Sequence, residues 1–483
     1  RECEKEKQER ERKAMPSVSP PATTGCGVKG EAAGKGGKRE ARRLDPEVPR
    51  HLWKIHGQLY DFADFMGHHP GGEDWIVMGR GRDCTELFES VHCLSNRNIA
   101  SLLDKYRCEV QPENREEIFS WEEDGFYRTL VRRVRRHFAV VPHEDDSKII
   151  VGNYKFTWMA YLKVSVLASL LLFCIFQAST TGSFMYAFFT GLLIQSLGLS
   201  ITHDGSHGAI SKRPFINRLG LYFGCFALWD DWIWMQHHVY GHHSYTGINR
   251  KDPDMNNARA FLRKHPEGRW KSFLRFQHLY VWPVLMLFPN QHFGQFIQYT
   301  IALFRGRVFG MPLDLESRST RRLAVFGTLA ALSVTVFLLL PWYWFGLGVA
   351  LGVEFFVFCG AGVTYFLVVA PNHDSEENVL FNHPDPGKKV DWGEQQVRMS
   401  GDHSTSDSLL DKAITQLWGG MNYQIEHHLF PSVAHVHYPA IRKIVQKTCG
   451  EFNIPYHSQP TWLAAMKSYF RLVRQMGRKA VGE

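Results

Sequence analysis

Beyond residue 156 the chain alternates long apolar runs with polar stretches that carry histidines, whereas the residues before it are polar and only locally apolar. A helix needs roughly 20 apolar residues to cross hydrocarbon, and four runs have that length: 157–178, 183–202, 323–342 and 346–370. The links within each pair, Ala178–Gly182 and Trp342–Phe345, carry no Lys or Arg. The segment between the second and third runs carries many, among them Lys212, Arg213, Arg250, Lys251, Arg275, Arg305, Arg321 and Arg322. That bias predicts a cytosolic middle segment and, because four is even, cytosolic termini as well. Residues 214–235 and 276–304 are apolar but interrupted by Asp230, Asp231, Gln277, Pro283, Pro289 and Asn290. They are expected to lie in the interface or re-enter rather than span. Glu354, inside the fourth run, is costly to bury, and Lys163 in the first is expected to snorkel.

The polar third divides further. Residues 1–46, rich in Gly, Lys, Arg and Glu, read as a disordered basic leader, with Met15 the expected native start. From 47 to 112 a small core appears: Leu52, Trp53, Ile55, Leu59, Tyr60, Phe62, Phe65 and Met66. Within it His69-Pro70-Gly71-Gly72 fixes a tight turn beside which a planar macrocycle can approach the backbone. His92 can close the opposite axial position, with His68 the competitor of His69. Residues 113–156 form a charged connector with a short helix, bearing Glu116, Glu117, Arg128, Arg132, Arg133, Arg135 and Arg136. This basic face is expected to be solvated near the cytosolic surface.

Histidines four apart share a helical face and suit iron, zinc or copper. His203 and His207 form one such pair and His238 and His242 another, with His243 turned toward a neighbour; His427 and His428 follow Gln424. His373, just after the last span, lies on the same side. His237 is out of register, and Asp204 and Glu426 are expected to orient imidazoles through their ring N–H. His278, His292, His403, His435 and His437 read as ordinary histidines.

Taken in order, HDxxH, HxxxHH and QxxHH resemble the three histidine boxes of membrane fatty acid desaturases, and the glutamine resembles the front-end subgroup. Residues 47–112 resemble cytochrome b5. The resemblance implies a mainly α, four-span membrane domain (157–483) with a cytosolic histidine-rich di-iron cap, preceded by a small α+β haem domain. It implies two non-haem irons held by His203, His207, His238, His242, His243, His373, Gln424, His427 and His428, and haem b held by His69 and His92. Bis-histidine ligation leaves no position for oxygen and suits electron transfer. The implied reaction uses O2 to place a cis double bond in a polyunsaturated acyl chain, between an existing double bond and the carboxyl end. Its substrate is an acyl lipid or acyl-CoA, with Trp229, Trp232 and Trp234 gripping the chain. NADH-cytochrome b5 reductase is the implied electron donor, and the endoplasmic reticulum bilayer the implied location.

Composition changes this picture little. The mean hydropathy of −0.25 averages two unlike parts, and the net charge of +8 in 483 residues suits anionic headgroups; no nucleic-acid partner is expected. Nine scattered cysteines exclude a disulfide scaffold and a zinc ribbon. HDxxH lacks the glutamate of a zinc hydrolase. Two alternatives stay open: a fatty acid or sphingoid-base hydroxylase with related boxes, and a membrane-anchored haem electron carrier without catalysis.

Overall fold

The computed structural model describes residues 44–109, 117–256, 259–266, 268–287, 292–379 and 389–479. Residues 1–43 of the expected leader, together with Glu116, Pro289 and Asn290, lie outside the described residues.

The amino-terminal unit is built on a hairpin, β1 (Trp53–Ile55) and β2 (Gln58–Tyr60). Its two-residue turn, His56-Gly57, holds both φ angles positive (47° and 65°), the twist that matches paired strands. Helices α1 (Glu73–Gly79), α2 (Thr85–His92) and α3 (Ile99–Tyr106) complete the unit. Leu52, Trp53, Ile55, Leu59, Tyr60 and Phe62 are buried as expected, while Phe65 and Met66 are only partly so.

In the connector, α4 (Phe126–His137) carries the arginine cluster, but it is not a solvated face. Arg128 binds both oxygens of Glu89 at 2.7 Å, Arg135 donates to the carbonyls of Cys93 and Ser95, and Arg133 reaches Thr448 and Glu451. A planar guanidinium can satisfy several fixed acceptors at once, so these arginines tie the haem unit to the carboxyl-terminal part of the chain.

Four helices are long and apolar enough to cross a membrane: α5 (Trp158–Thr181), α6 (Phe184–Ser206), α10 (Thr320–Phe345) and α11 (Leu347–His373). Along α5, Leu162, Val166, Leu170 and Phe173 are exposed, the lipid-facing stripe of a helix apolar on all sides. Helices α6 and α11 pack closest. A side chain at Gly191 would collide with the Val357 carbonyl, and one at Gly360 with that of Phe188, the backbone approach that small residues permit. Between the pairs lie α7 (Pro214–Phe226), α8 (Gln277–Leu287) and α9 (His292–Arg305). Their 13, 11 and 14 residues fall short of a crossing, in keeping with the interfacial reading, although Pro283 sits inside α8 rather than interrupting it. The Lys163 ammonium reaches beyond its helix to Gln416 and, at 2.7 Å, to the Nε2 of His435.

Beyond the spans, α12 (Gln424–Leu429), α13 (Tyr438–Glu451) and α14 (Trp462–Met476) close over the polar face. One core, running from Trp53 through Tyr127, Tyr240 and Trp392 to Tyr438, joins the haem unit to the histidine-bearing segments.

Candidate metal centre

The end of α6 carries the first box. The helix passes through a π-wound turn at Gly198–Thr202 before His203–Ser206, and the buried rings of His203 and His207 lie 4.9 Å apart. None of their four ring nitrogens has a hydrogen-bond partner among the described residues.

The second box starts where Asp230 caps a helical turn by accepting from the backbone N–H groups of Trp232 and Ile233. From Met235 to His242 the winding is π rather than α. With one more residue per hydrogen-bonded turn, His238 is brought to His243 (Nε2 to Nε2 3.2 Å), while its ring stays 5.5 Å from that of His242, and the expected His238–His242 pair lies within ligand reach together with Asp254. His237 faces outward to Tyr299 and Asp254, as its register predicts.

Helix α12 carries the third box, its Ile425 N–H held by Asp402. His427 reaches His243 (Nε2 to Nε2 3.0 Å), while His428 reaches His373 at the end of α11 (3.1 Å). Eight buried or half-buried imidazoles from four separate segments thus form two all-histidine groups, and His238, His242 and Asp254 form a third set that bridges them. His203, His207, His238, His243 and His427 make one, and His242, His373 and His428 the other, the ligand atoms of each within 4.8 Å of one another.

The second group shows why this arrangement fits metal. His242 Nδ1–H donates to Asp252, His373 Nδ1–H to the Met399 carbonyl and His428 Nδ1–H to the Gln396 amide oxygen, at 2.9 to 3.2 Å. Each ring therefore turns a bare Nε2 lone pair toward the other two. Buried lone pairs this close repel unless a cation lies among them, and donors about 2 Å from one ion are spaced in this way. His427 is oriented by the Tyr438 hydroxyl at 3.0 Å. Gln424 stands at the edge, its carboxamide 2.9 Å from His373 Nε2 and 3.2 Å from Asn372.

Several partners lie outside the sequence reading. His435, set aside there, binds Asp204 at 2.6 Å, and Asp204 stands 3.6 Å from His203. The chain Lys163–His435–Asp204 thus ends on the first box. Among the described residues Glu426 orients no imidazole. It accepts from the Tyr456 hydroxyl at 2.9 Å, and burial together with Asp402 pushes its carboxyl well above the usual range. Trp232 is locked to the Asp314 carbonyl, and Trp234 stacks on His238 with centroids 4.4 Å apart, so these two indoles brace the box instead of gripping a chain. His278, His403 and His437 stay outside both groups.

In the amino-terminal unit the rings of His69 and His92 face each other with centroids 6.1 Å apart. Their Nδ1–H groups donate to the carbonyls of Gly72 (2.9 Å) and Phe88 (2.8 Å), leaving both Nε2 atoms free. Two metal–imidazole bonds of about 2 Å plus the ring half-widths fill this gap. Burial lowers the pKa of both rings, that of His92 to about 4, so the rings are neutral as ligands must be. His68 is exposed and bonds only its own turn.

Comparison with known proteins agrees with this geometry. The family model "Fatty acid desaturase" matches residues 179–460 and "Cytochrome b5-like Heme/Steroid binding domain" matches 41–109. The chain is 30% identical to an acyl-lipid (8-3)-desaturase B of Dictyostelium discoideum, over 89% of this chain and 93% of the relative. It is 30% identical to acyl-lipid (8-3)-desaturases of Physcomitrium patens, over 89% of each chain, and of Mortierella alpina, over 88% of this chain and 93% of the relative.

Proposed function

This chain belongs to the fatty acid desaturase family and carries a cytochrome b5-like domain, and from that premise we propose that it is a membrane-embedded front-end desaturase acting on polyunsaturated acyl lipids. It is an oxidoreductase with a haem and a di-iron centre. The observation that carries the reading is the convergence of eight imidazoles into two groups.

When bound, the two irons supply the oxygen chemistry that an unactivated C–H bond requires and that no side chain provides. The chain's own residues hold and orient. His203, His207, His238, His243 and His427 form one ligand set; His242, His373 and His428 form the other, with Gln424 beside it. Asp252, Gln396 and the Met399 carbonyl fix the tautomers of the second set. His69 and His92 hold the haem.

A cleft reaches His242 and His373 between α8 and α11, lined by Leu285, Tyr365, Val369 and Ala370, with Lys264 and Asp374 paired at its edge. Its apolar wall can lay a methylene pair against the second ligand set. The acyl-lipid names of the relatives favour a lipid over a coenzyme A thioester. The Lys and Arg bias of the middle segment favours cytosolic histidine boxes and termini, in the endoplasmic reticulum, with NADH-cytochrome b5 reductase as donor.

The test is expression in a host lacking polyunsaturated lipids, feeding of several acyl chains, and location of the new double bond by mass spectrometry. Loss of two hydrogens on the carboxyl side of an existing double bond is expected. Gain of one oxygen would assign the chain to the hydroxylases, and haem without non-haem iron would make it an electron carrier.

A further inference from the structure

The haem unit meets the membrane domain at one acidic and one aromatic residue in the first turn of α1. Asp74 accepts from Arg218 at 2.8 Å and from Arg322 at 2.6 and 3.2 Å. Arg322 also pairs with buried Asp231, four residues before the second box begins its π winding. The turn that follows His69 is pressed on the start of α7: a Cβ placed on Gly72 would lie 3.5 Å from that of Pro214. Trp75 fills the gap beside this contact. A Cβ on Gly71 would stand 2.9 Å from His69 Cε1 and 3.5 Å from Trp75 Cδ1, and a Cβ on Gly208 would stand 3.6 Å from Trp75 Cζ2. The N–H edge of one indole therefore stands beside both the turn of the haem ligand and the residue that follows His207. Gly208 is itself held in place by Lys155, whose ammonium donates to its carbonyl at 2.9 Å.

We propose that Trp75 is the bridge over which electrons pass from the haem unit to the first histidine box, with Asp74 as the clamp that sets its position. The proposal rests on the di-iron reading above. Through-space gaps slow electron transfer far more than bonded segments do, and here the indole divides the space between the His69 turn and Gly208 into two shorter gaps. In each passage one ferrous haem becomes ferric and the di-iron centre gains one electron; Trp75 ends unchanged. Two passages, two protons and one O2 accompany the two hydrogens lost from the acyl chain, giving two waters and one double bond. The reductase returns the haem to the ferrous state each time.

The bridge is tested on the full-length, metal-replete protein by reducing the haem anaerobically with dithionite. The protein is then mixed with oxygenated buffer and acyl-lipid vesicles, and haem reoxidation is followed by its visible spectrum. Trp75→Leu should slow reoxidation several-fold while haem midpoint potential, haem spectrum and hydrogen exchange of α1 match wild type; Trp75→Phe should retain most of the rate. A wild-type rate in Trp75→Leu overturns the bridge, as does equal slowing in both variants with faster exchange in α1, which would make Trp75 a packing residue. If wild-type haem reoxidises no faster than in His427→Ala, electron delivery itself fails and the di-iron reading with it.

Discussion

Asp252 shows how much of this site rests on side chains that touch no metal. Its carboxylate is buried, accepts from His242 Nδ1–H at 3.1 and 3.2 Å, and accepts from the backbone of Gly247 and Asp254 at 2.8 Å. Replacing it by Asn keeps the shape but removes the charge that strengthens His242 as a donor. Such partners typically change metal affinity by about 10–100-fold. Asp252→Asn is therefore expected to bind about one non-haem iron instead of two after dialysis, measured by metal analysis, with the haem spectrum intact. By contrast, His427→Ala removes a ring that reaches His243 at 3.0 Å, and should abolish product while leaving the haem band; product formation would contradict its ligand role. The clustering of His203 with His207 and of His238 with His242 was legible because rings four positions apart share a helical face. Asp252 has no such repeat, and the role of His435 was not legible, because His435 meets Asp204 across 231 positions. No local periodicity encodes such a contact.

At the level of elements, the lengths and polarity of the four spans were legible from hydropathy, and the shortness of α7, α8 and α9 from the interruptions in their runs. The winding of the second box was not. An α reading pairs His238 with His242; the π segment keeps that neighbour and adds His243, and residue pattern does not distinguish the two windings when both leave a histidine facing inward. The π turns are held by close packing at Gly241, where a Cβ would lie 2.7 Å from Met311 Sδ and 2.9 Å from Pro253 Cγ. The proline ring cannot yield easily. Gly241→Val should cost about 1–3 kcal/mol as an overpacked site, and it should part His238 from His243, so that non-haem iron falls while the cytochrome-like spectrum persists. Full iron occupancy in that variant would show that the winding is set elsewhere. Similarly, a leucine at Gly360 would push α11 off the Phe188 carbonyl and carry His373 with it, lowering both thermal stability and second-site iron.

Across the whole molecule, the haem unit is fastened at several places, among them the buried Arg82–Gln236 contact, and two of them differ in chemistry. On one side stands the Asp74–Arg322–Asp231 cluster, whose Arg322 side chain is only 4% exposed; removing one partner of such a buried pair typically costs about 3–5 kcal/mol. On the other side His56, in the hairpin turn, bridges Glu89 and Glu117 at 2.7 Å each, and Glu89 is shared with Arg128 of α4. Burial disfavours the charged imidazole, but the two carboxylates outweigh it and raise its pKa from 6.5 to about 9. A raised pKa means that the protonated, bridging form stabilises the docked state fully below about 6.5, and that this contribution is lost as pH climbs through about 9. The junction between haem unit and connector should then exchange amide hydrogens faster at pH 10 than at pH 7, after correction for intrinsic exchange, while the Asp74 side holds. His56→Gln, which cannot carry charge, should be looser at pH 7 and nearly flat across the same range. A wild-type junction that loosened on acidification instead would mean that the carboxylates, not the imidazole, titrate there. Both fastenings must hold for Trp75 to stay against Gly208, so haem reoxidation should decline with the same alkaline midpoint as the junction opens.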